Sequence, residues 1–529
     1  MGFFDSVFKV AVTAAVVAAT IAFIAPASTA VAGAAIFGLT GASAYIATAA
    51  LTAAAISTIS YLTADTPEAA DLGEQLRGQL VSKREPAGNA FIVYGKTRVG
   101  GTVVHMEATG SKNETMYMAM AMAGHEITAI DNVYVNDDKF PLTTSGNIYT
   151  INYQGSTSVI NFDYLLGTST QNSMELFSGT TASDFRFKGI ATLGAKLVYD
   201  ADKFPLGLPN ITAEIRGKKV YDPRTDTTAY STNAALCIRD YLTDIDYGMA
   251  ATDDEIDDDS FSDAADICDQ SITLADSSTE ARYTINGAFS SGEQPKDILS
   301  KMLTSCGGML SYVGGKWTLK VAEYRTPTVT LTEDDVVGQI SVQGSQSRRD
   351  IFNAIKGTYS EPETLYQVAS FPPVTNSLYE AEDNEKIWKD TQFPFTTSSA
   401  ACQRLAKIDL EKSRQQIVVN LSCNLNAFSL QPGDNVYLSF DRYGWNQKVF
   451  EVIDWSFSFV DSDGGATPVV NLTLRETASG VYAWANGSET VVDLAPNTNL
   501  PDPFLVTAPG VTSTDILYIA AETVITKLV

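Results

Sequence analysis

Met309-Leu310-Ser311-Tyr312-Val313-Gly314-Gly315-Lys316-Trp317-Thr318-Leu319-Lys320-Val321 consists of two strand-forming runs around a pair of glycines. Tyr, Val, Trp and Thr favour a pleated backbone. Two successive glycines supply the positive φ values that a two-residue hairpin turn requires. The stretch is expected to be a tight hairpin. Just before it, Ile298, Leu299, Met302, Leu303 and Cys306 share one helical face, and Pro295 suits the first turn of that helix. A helix over about 295–306 therefore leads directly into the hairpin.

Outward from this unit, the chain alternates between the same two signals. Upstream, Ala235, Ile238, Tyr241 and Leu242 recur at helical spacing over 233–242, and a further helix is expected over 261–268. Before these, strand-like runs at 91–94, 102–105, 116–122, 132–135, 148–153, 195–199 and 211–215 are separated by Gly, Asn and Asp, which is hairpin chemistry. Downstream, one helix over 397–414 carries Ala401, Leu405 and Ile408 inward. Strands are expected around it at 416–421, 435–440, 449–455 and 469–474. Short strands with regular turn signals suggest barrels or sandwiches. The fold class read from the sequence is mainly β with minor α (α+β), preceded by an apolar helical N-terminal segment.

The chain has 529 residues, 45% of them hydrophobic and 19% charged. That is enough apolar material for a sizeable core, and at roughly 100–200 residues per domain it suggests about three or four domains. The formal net charge of −26 repels a phosphate backbone and argues against specific nucleic-acid recognition. An acidic wall past which DNA slides without sticking is compatible with it. Cys237, Cys268, Cys306, Cys402 and Cys423 are odd in number, widely spaced and without a CxxC pair. They read as buried free thiols of a protein made in a reducing cytoplasm.

Val10 through Ala64 contain no charged residue. Two apolar arms, about 7–25 and 42–62, flank a Gly-containing centre, and each approaches the roughly 20 residues that span a bilayer. Three readings stay open: a helical hairpin buried inside an oligomer, a segment released into a host membrane, and a constitutive anchor. Residues 65–88 are polar, contain Pro67 and Pro86, and read as a linker.

The cluster Asp253, Asp254, Glu255, Asp257, Asp258 and Asp259 invites a calcium reading. An EF-hand loop needs Gly at the sixth position, and a loop starting at Asp257 has Ser262 there. A solvated loop capping the next helix is the simpler expectation. Only His105 and His125 are present, and no nucleophile elbow or HExxH helix occurs. No catalytic, cofactor-binding or metal-binding residue is therefore assigned, and no cofactor is expected.

Several blocks, taken in order, resemble the lambda-type tail tip attachment (host specificity) proteins of long-tailed phages. They are Val93-Tyr94-Gly95-Lys96-Thr97-Arg98-Val99-Gly100-Gly101, Gly124-His125-Glu126-Ile127 and Asn132-Val133-Tyr134-Val135-Asn136-Asp137. Arg216-Gly217-Lys218-Lys219-Val220-Tyr221-Asp222-Pro223-Arg224 follows, then Asn233-Ala234-Ala235-Leu236, Asp240-Tyr241-Leu242-Thr243 and Tyr247-Gly248. The helix and hairpin from Asn286-Gly287 to Val321 continue the series. Gln403-Arg404-Leu405-Ala406-Lys407, Leu430-Gln431-Pro432-Gly433-Asp434, Gly444-Trp445 and Leu474-Arg475-Glu476-Thr477 with Tyr482 and Trp484 complete it. The resemblance covers roughly residues 85–490.

The resemblance implies tandem β-barrel or sandwich hub domains and a homotrimer at the distal end of a tail, made in the host cytoplasm. The implied partners are the distal tail protein, the tape measure protein, other tail tip and fibre proteins, and the host receptor or envelope. DNA would be passing cargo only, and 10–64 would be the point of any host-membrane contact. The expected organisation is an apolar segment (1–64), a linker (65–88), a first hub β domain (89–221), an α/β hub domain (222–345), a second barrel-like domain (346–495) and a short C-terminal β segment (496–529). The motif residues expected to carry structure are Tyr94, Gly95, Arg98, Gly100, Gly101, Asp222, Pro223, Pro432, Gly433, Asp434, Trp445, Arg475 and Trp484. The alternatives are a membrane-anchored protein with an acidic β ectodomain and a tail-associated cell-wall hydrolase.

Overall fold

The computed structural model describes residues 62–63, 69–84, 88–142, 148–205, 207–348, 351–462, 465–491, 514–520 and 523–528. The expected apolar helical segment lies outside these residues apart from Leu62–Thr63, a short strand paired antiparallel with Met309 and Leu310. Among the described residues, no helix is long and apolar enough to cross a membrane.

The first β region is a pair of antiparallel sheets around one core. Five strands run in the order Thr102–Thr109, Thr115–Ala123, Ala191–Val198, Ile160–Leu165, Tyr149–Thr150, and four in the order Lys96–Val99, Ile211–Arg216, Ala129–Val135, Asp138–Pro141. Met118, Met120, Met122, Phe162 and Leu193 meet Val99, Val133, Ile211 and Ile215 in that core. The opposite face of the five-stranded sheet is covered as well, because Ala119 and Leu165 pack against Met174, Phe177 and Ala182. Burial on both faces explains why Thr115–Ala123 reads as a continuous apolar run rather than an alternating one.

The second region is built on helices α1 (Ala69–Gln79), α2 (Ala234–Thr243), α3 (Asp258–Cys268) and α4 (Pro295–Thr304). Asn233 caps α2 by accepting the Ala235 and Leu236 N–H groups, and Pro295 occupies the start of α4. The hairpin forms as expected, with Met309–Val313 paired to Lys316–Lys320 and both Gly314 and Gly315 at positive φ. Helix α1 corrects the linker reading of 65–88. Leu72, Leu76 and Gln79 fall on one face and are buried, and the Gln79 amide donates to the Arg98 carbonyl and the Thr97 hydroxyl. Two leucines in a polar stretch suffice once a neighbour is there to receive them.

The third region holds α5 (Ser377–Asp383), α6 (Ser399–Arg414) and two sheets. The smaller is Gln367–Thr375, Ala354–Glu361, Trp388–Phe393, the last pair parallel. Its edge strand accommodates Pro372 and Pro373 beside a register shift, the position at which strand prolines are tolerated. The larger has six strands, in the order Val329–Thr332, Asn435–Phe440, Trp445–Ser462, Gly465–Glu476, Val418–Cys423, Ser341–Gln343. The barrel expected here does not close. The two edge strands, Val329–Thr332 and Ser341–Gln343, are each paired on one side only among the described residues. The sheet is nevertheless strongly curled. Residues 333–340 cross from one edge to the other, docking on the way through Val337 N–H to Ser422 and Asn424 N–H to Asp335. Leu331, Val419, Val436, Phe450, Trp455 and Leu472 fill its concave side.

The largest core joins these parts. It includes Ile92 and Tyr94, the inner faces of α2, α3 and α4, the hairpin, the small sheet, α6 and Tyr482. Phe91–Tyr94 enters it as a strand paired with Gly287–Ser290. Apart from this unit, Thr514–Ala520 and Thr523–Leu528 form an antiparallel hairpin.

Candidate functional site

Arg98 is 2% exposed. Its Nε donates to Thr212 (2.6 Å), Nη2 to the Asn136 carbonyl (2.9 Å) and Nη1 to the Leu365 carbonyl (3.4 Å). Its guanidinium lies over the Tyr134 ring, 4.2 Å from the centroid. Beside it, Glu214 accepts from Tyr366 (2.9 Å), Lys96 (2.9 Å) and Asn132. Burial pushes the Glu214 carboxyl up, but these hydrogen bonds outweigh it and hold the group below the usual range. Leu365 and Tyr366 both have positive φ. The node thus ties the first β region to the third through groups that only a folded partner can supply.

A second node surrounds Tyr94, whose hydroxyl donates to Asp240 (2.6 Å). Lys218 bridges Asp240 (2.6 Å) and Asp244. Nearby, His125 Nε2 accepts the Val93 N–H (2.9 Å) while Nδ1 donates to the Glu126 carbonyl (2.8 Å). This arrangement requires a neutral imidazole, and burial depresses the His125 pKa accordingly. A group whose folded pKa lies below its unfolded value stabilises fully above the unfolded value, about 6.5 for His, and loses that contribution as pH falls through it. Urea midpoints should therefore drop between neutral and mildly acidic pH, and His125→Gln, which retains an acceptor without titrating, should flatten that drop. An unchanged slope in the variant would remove His125 as the cause.

The remaining motif residues are turns and anchors. Gly95 lies at positive φ where the chain abuts Ile285 and Asn286. Gly100 donates its N–H to the Gln79 carbonyl (2.7 Å), and Gly101 approaches Met122. Asp222 and Pro223 start a turn in which Arg224 forks onto Asp222 and reaches Asp266 and Asp269 at the end of α3. In the acidic stretch, Asp258 pairs with Arg239 (2.7 Å) and Thr252 and Glu255 form a capping box. No cluster of metal-ligating side chains occurs there or elsewhere among the described residues. Pro432 and Gly433 are the centre of a β-turn, closed by Asp434 N–H to the Gln431 carbonyl (3.0 Å) with Gly433 at φ +83°. Trp445 packs against Tyr443 and Phe450 with centroids 4.9 and 5.2 Å apart. Trp484 is half-buried. All five cysteines are buried and free.

Gly433 and Arg475 are brought together in a cleft of about 280 Å³ that also includes Tyr482. Helix α6 supplies one wall: Leu405, Ile408, Asp409 and Lys412, at i, i+3, i+4 and i+7, all face it. The hairpin end gives Lys320, the following loop Arg325, the small sheet Lys389 and Phe393, and the curled sheet Glu451 and Arg475. Lys389 pairs with Asp409 (2.6 Å), Lys412 with Glu451 (3.2 Å) and Lys320 with Asp434 (3.2 Å). Burial lowers the Lys412 pKa, but Glu451 and Tyr482 outweigh it and raise it overall. Burial lowers that of Arg475. Sequence reading singled out Gly433, Arg475 and Tyr482 but missed Lys412, Lys389, Arg325 and Glu451. A signal existed: the apolar stripe Ala401, Leu405, Ile408 of α6 ends in a lysine on the same face, which points to a partnered cation at the core's edge.

An open, curled sheet and a two-sheet β region, joined through the largest core, make a β-rich architecture. Residues 294–454 match a protein family described as "Putative phage tail protein". The chain is 25% identical over 354 residues to the baseplate hub protein pb3 of Escherichia phage T5, an alignment spanning 62% of this chain and 36% of pb3. It therefore spans about a third of the length of that curated relative. Among solved structures, a chain of the "Virion of native gene transfer agent (GTA) particle" is similar at a TM-score of 0.53 and 14% identity, covering 78% of this chain and 90% of that one. The family match over 294–454 and the hub relative are both to phage tail proteins.

Proposed function

We propose that this protein is the hub at the distal end of a phage tail. In this reading it is a homotrimer that closes the tail tube, anchors fibre or receptor-binding proteins and lines the path of the ejected genome. The observation that carries the reading is the alignment to a baseplate hub protein across 62% of the chain. Two β regions per chain support it, since three copies of a doubled module match a sixfold tube. The boundaries 89–221, 222–345 and 346–495 are proposed as its hub domains, with 496–529 a short β segment after them. The distal tail, tape measure and fibre proteins are the proposed partners. The host receptor or envelope is contacted directly or through fibres, and DNA is only passing cargo. The motif residues serve turns, nodes and packing, and the reading assigns the chain no catalysis, cofactor or metal. Five buried thiols are compatible with synthesis in the host cytoplasm. Residues 10–64 are proposed to line or plug the axis, or to enter the host membrane.

Cryo-electron microscopy of intact particles, with analytical ultracentrifugation of the full chain, tests the assignment. Three copies around the axis at the tail end, with 10–64 nearest the axis, are expected. A protein monomeric in solution and absent from the tail tip would refute it.

A further inference from the structure

The chain as a whole is strongly acidic, at −26. The cleft beside α6 has the opposite balance, with five basic residues against Asp409 and Glu451 in its lining. Three of the five are matched by carboxylates, as described above. Arg325 and Arg475 are left over: the first donates to the Val321 carbonyl and the second, through Nε, to the Gln415 carbonyl, each at 3.2 Å. Neither has a carboxylate within ion-pair distance among the described residues. Phe393, Leu405 and Ile408 add apolar surface to the same lining. Guanidinium groups without a carboxylate partner beside apolar lining, in a chain of strongly negative charge, form a selective feature rather than a general basic surface.

We propose that this cleft binds a small anion bearing carboxylate or phosphate groups. Guanidinium groups present parallel N–H donors that match both oxyanions. A volume of about 280 Å³ lies just below the roughly 300–1,000 Å³ of drug-sized ligand sites, which suits a compact metabolite and excludes a folded element. The ligand would bridge the curled sheet, through Arg475, to the loop after the hairpin, through Arg325, and so clamp the second region to the third.

The test is calorimetric titration of the full chain at low ionic strength with two probes, citrate and inorganic pyrophosphate. Saturable one-to-one binding of at least one is expected, and the preferred probe tells carboxylate from phosphate recognition. The double variant Arg325→Gln/Arg475→Gln should bind about tenfold or more weakly. Glu451→Gln, which removes a competing carboxylate, should bind more tightly, a gain that damage to the fold cannot produce. The proposal is overturned if neither probe binds at millimolar concentration, if the double variant binds as well as the parent, or if Glu451→Gln fails to tighten binding. Any of those results would leave the cleft as an ion-pair seam between the two regions and nothing more.

Discussion

Glu280→Ala is expected to lower the unfolding free energy by about 3–5 kcal/mol, the usual cost of stranding one member of a buried ion pair. The stranded group is Arg404, 2% exposed in the middle of α6. Its Nη2 reaches Glu280 (3.1 Å) and the Arg282 carbonyl (2.7 Å). Its Nε and Nη1 have no partner among the described residues. Glu280 is in turn fixed by the Ser398 hydroxyl, the N-cap of α6, at 2.6 Å. One carboxylate therefore serves both as the counter-charge of a buried guanidinium and as the anchor of a helix start. Replacing both partners with apolar residues, as in Glu280→Leu/Arg404→Met, should recover much of the loss, because no charge then remains to be solvated. Urea unfolding of the parent, Glu280→Ala and the double variant measures this. A single variant within about 1 kcal/mol of the parent would show that water reaches Arg404 and the pair is not truly buried.

Gly95→Ala should cost a similar amount, about 3–5 kcal/mol, for a backbone reason. Gly95 has φ +62°, and a Cβ there would lie 2.0 Å from the Ile285 carbonyl oxygen. The added methyl would have to push apart Phe91–Tyr94 and its partner Gly287–Ser290, the pairing that brings the first β region into the shared core. The hairpin offers an internal control. Gly314 has nearly the same φ, +60°, but open space where its Cβ would be. Gly314→Ala should cost only the strain of a left-handed residue, about 1–2 kcal/mol. Equal costs at the two glycines would show that the close approach at Gly95 contributes nothing.

Much of the local structure was legible because its signals are local. Asn233 and Pro295 mark helix starts where the sequence places them, and the helix expected over 397–414 is observed over Ser399–Arg414. Asn435–Phe440 and Phe91–Tyr94 match their expected bounds. The misses are non-local. Val329–Thr332 joins the curled sheet in parallel with residues about a hundred positions away, and no spacing announces that. Gln367–Thr375 carries two prolines, which only an edge position makes harmless. Helix α1 depends on Leu72 and Leu76 finding a receiving surface. In the cleft, the turn Pro432-Gly433 was readable from residue type alone. The ion pairs were not, since Lys412 and Glu451 are 39 residues apart, and an acidic chain offers many equivalent carboxylates on paper.

The largest core draws on residues from Ile92 to Tyr482, and this has a consequence during synthesis. At about 5–20 residues per second, the ribosome needs roughly 20–80 s to travel between those two positions. Throughout that interval Ile92 and Tyr94, joined part-way by the apolar face of α2, have been made but lack their final neighbours. The nascent polypeptide cannot finish such a core piecemeal, and its yield in a foreign expression host should depend on chaperones that shield it until translation reaches the far end.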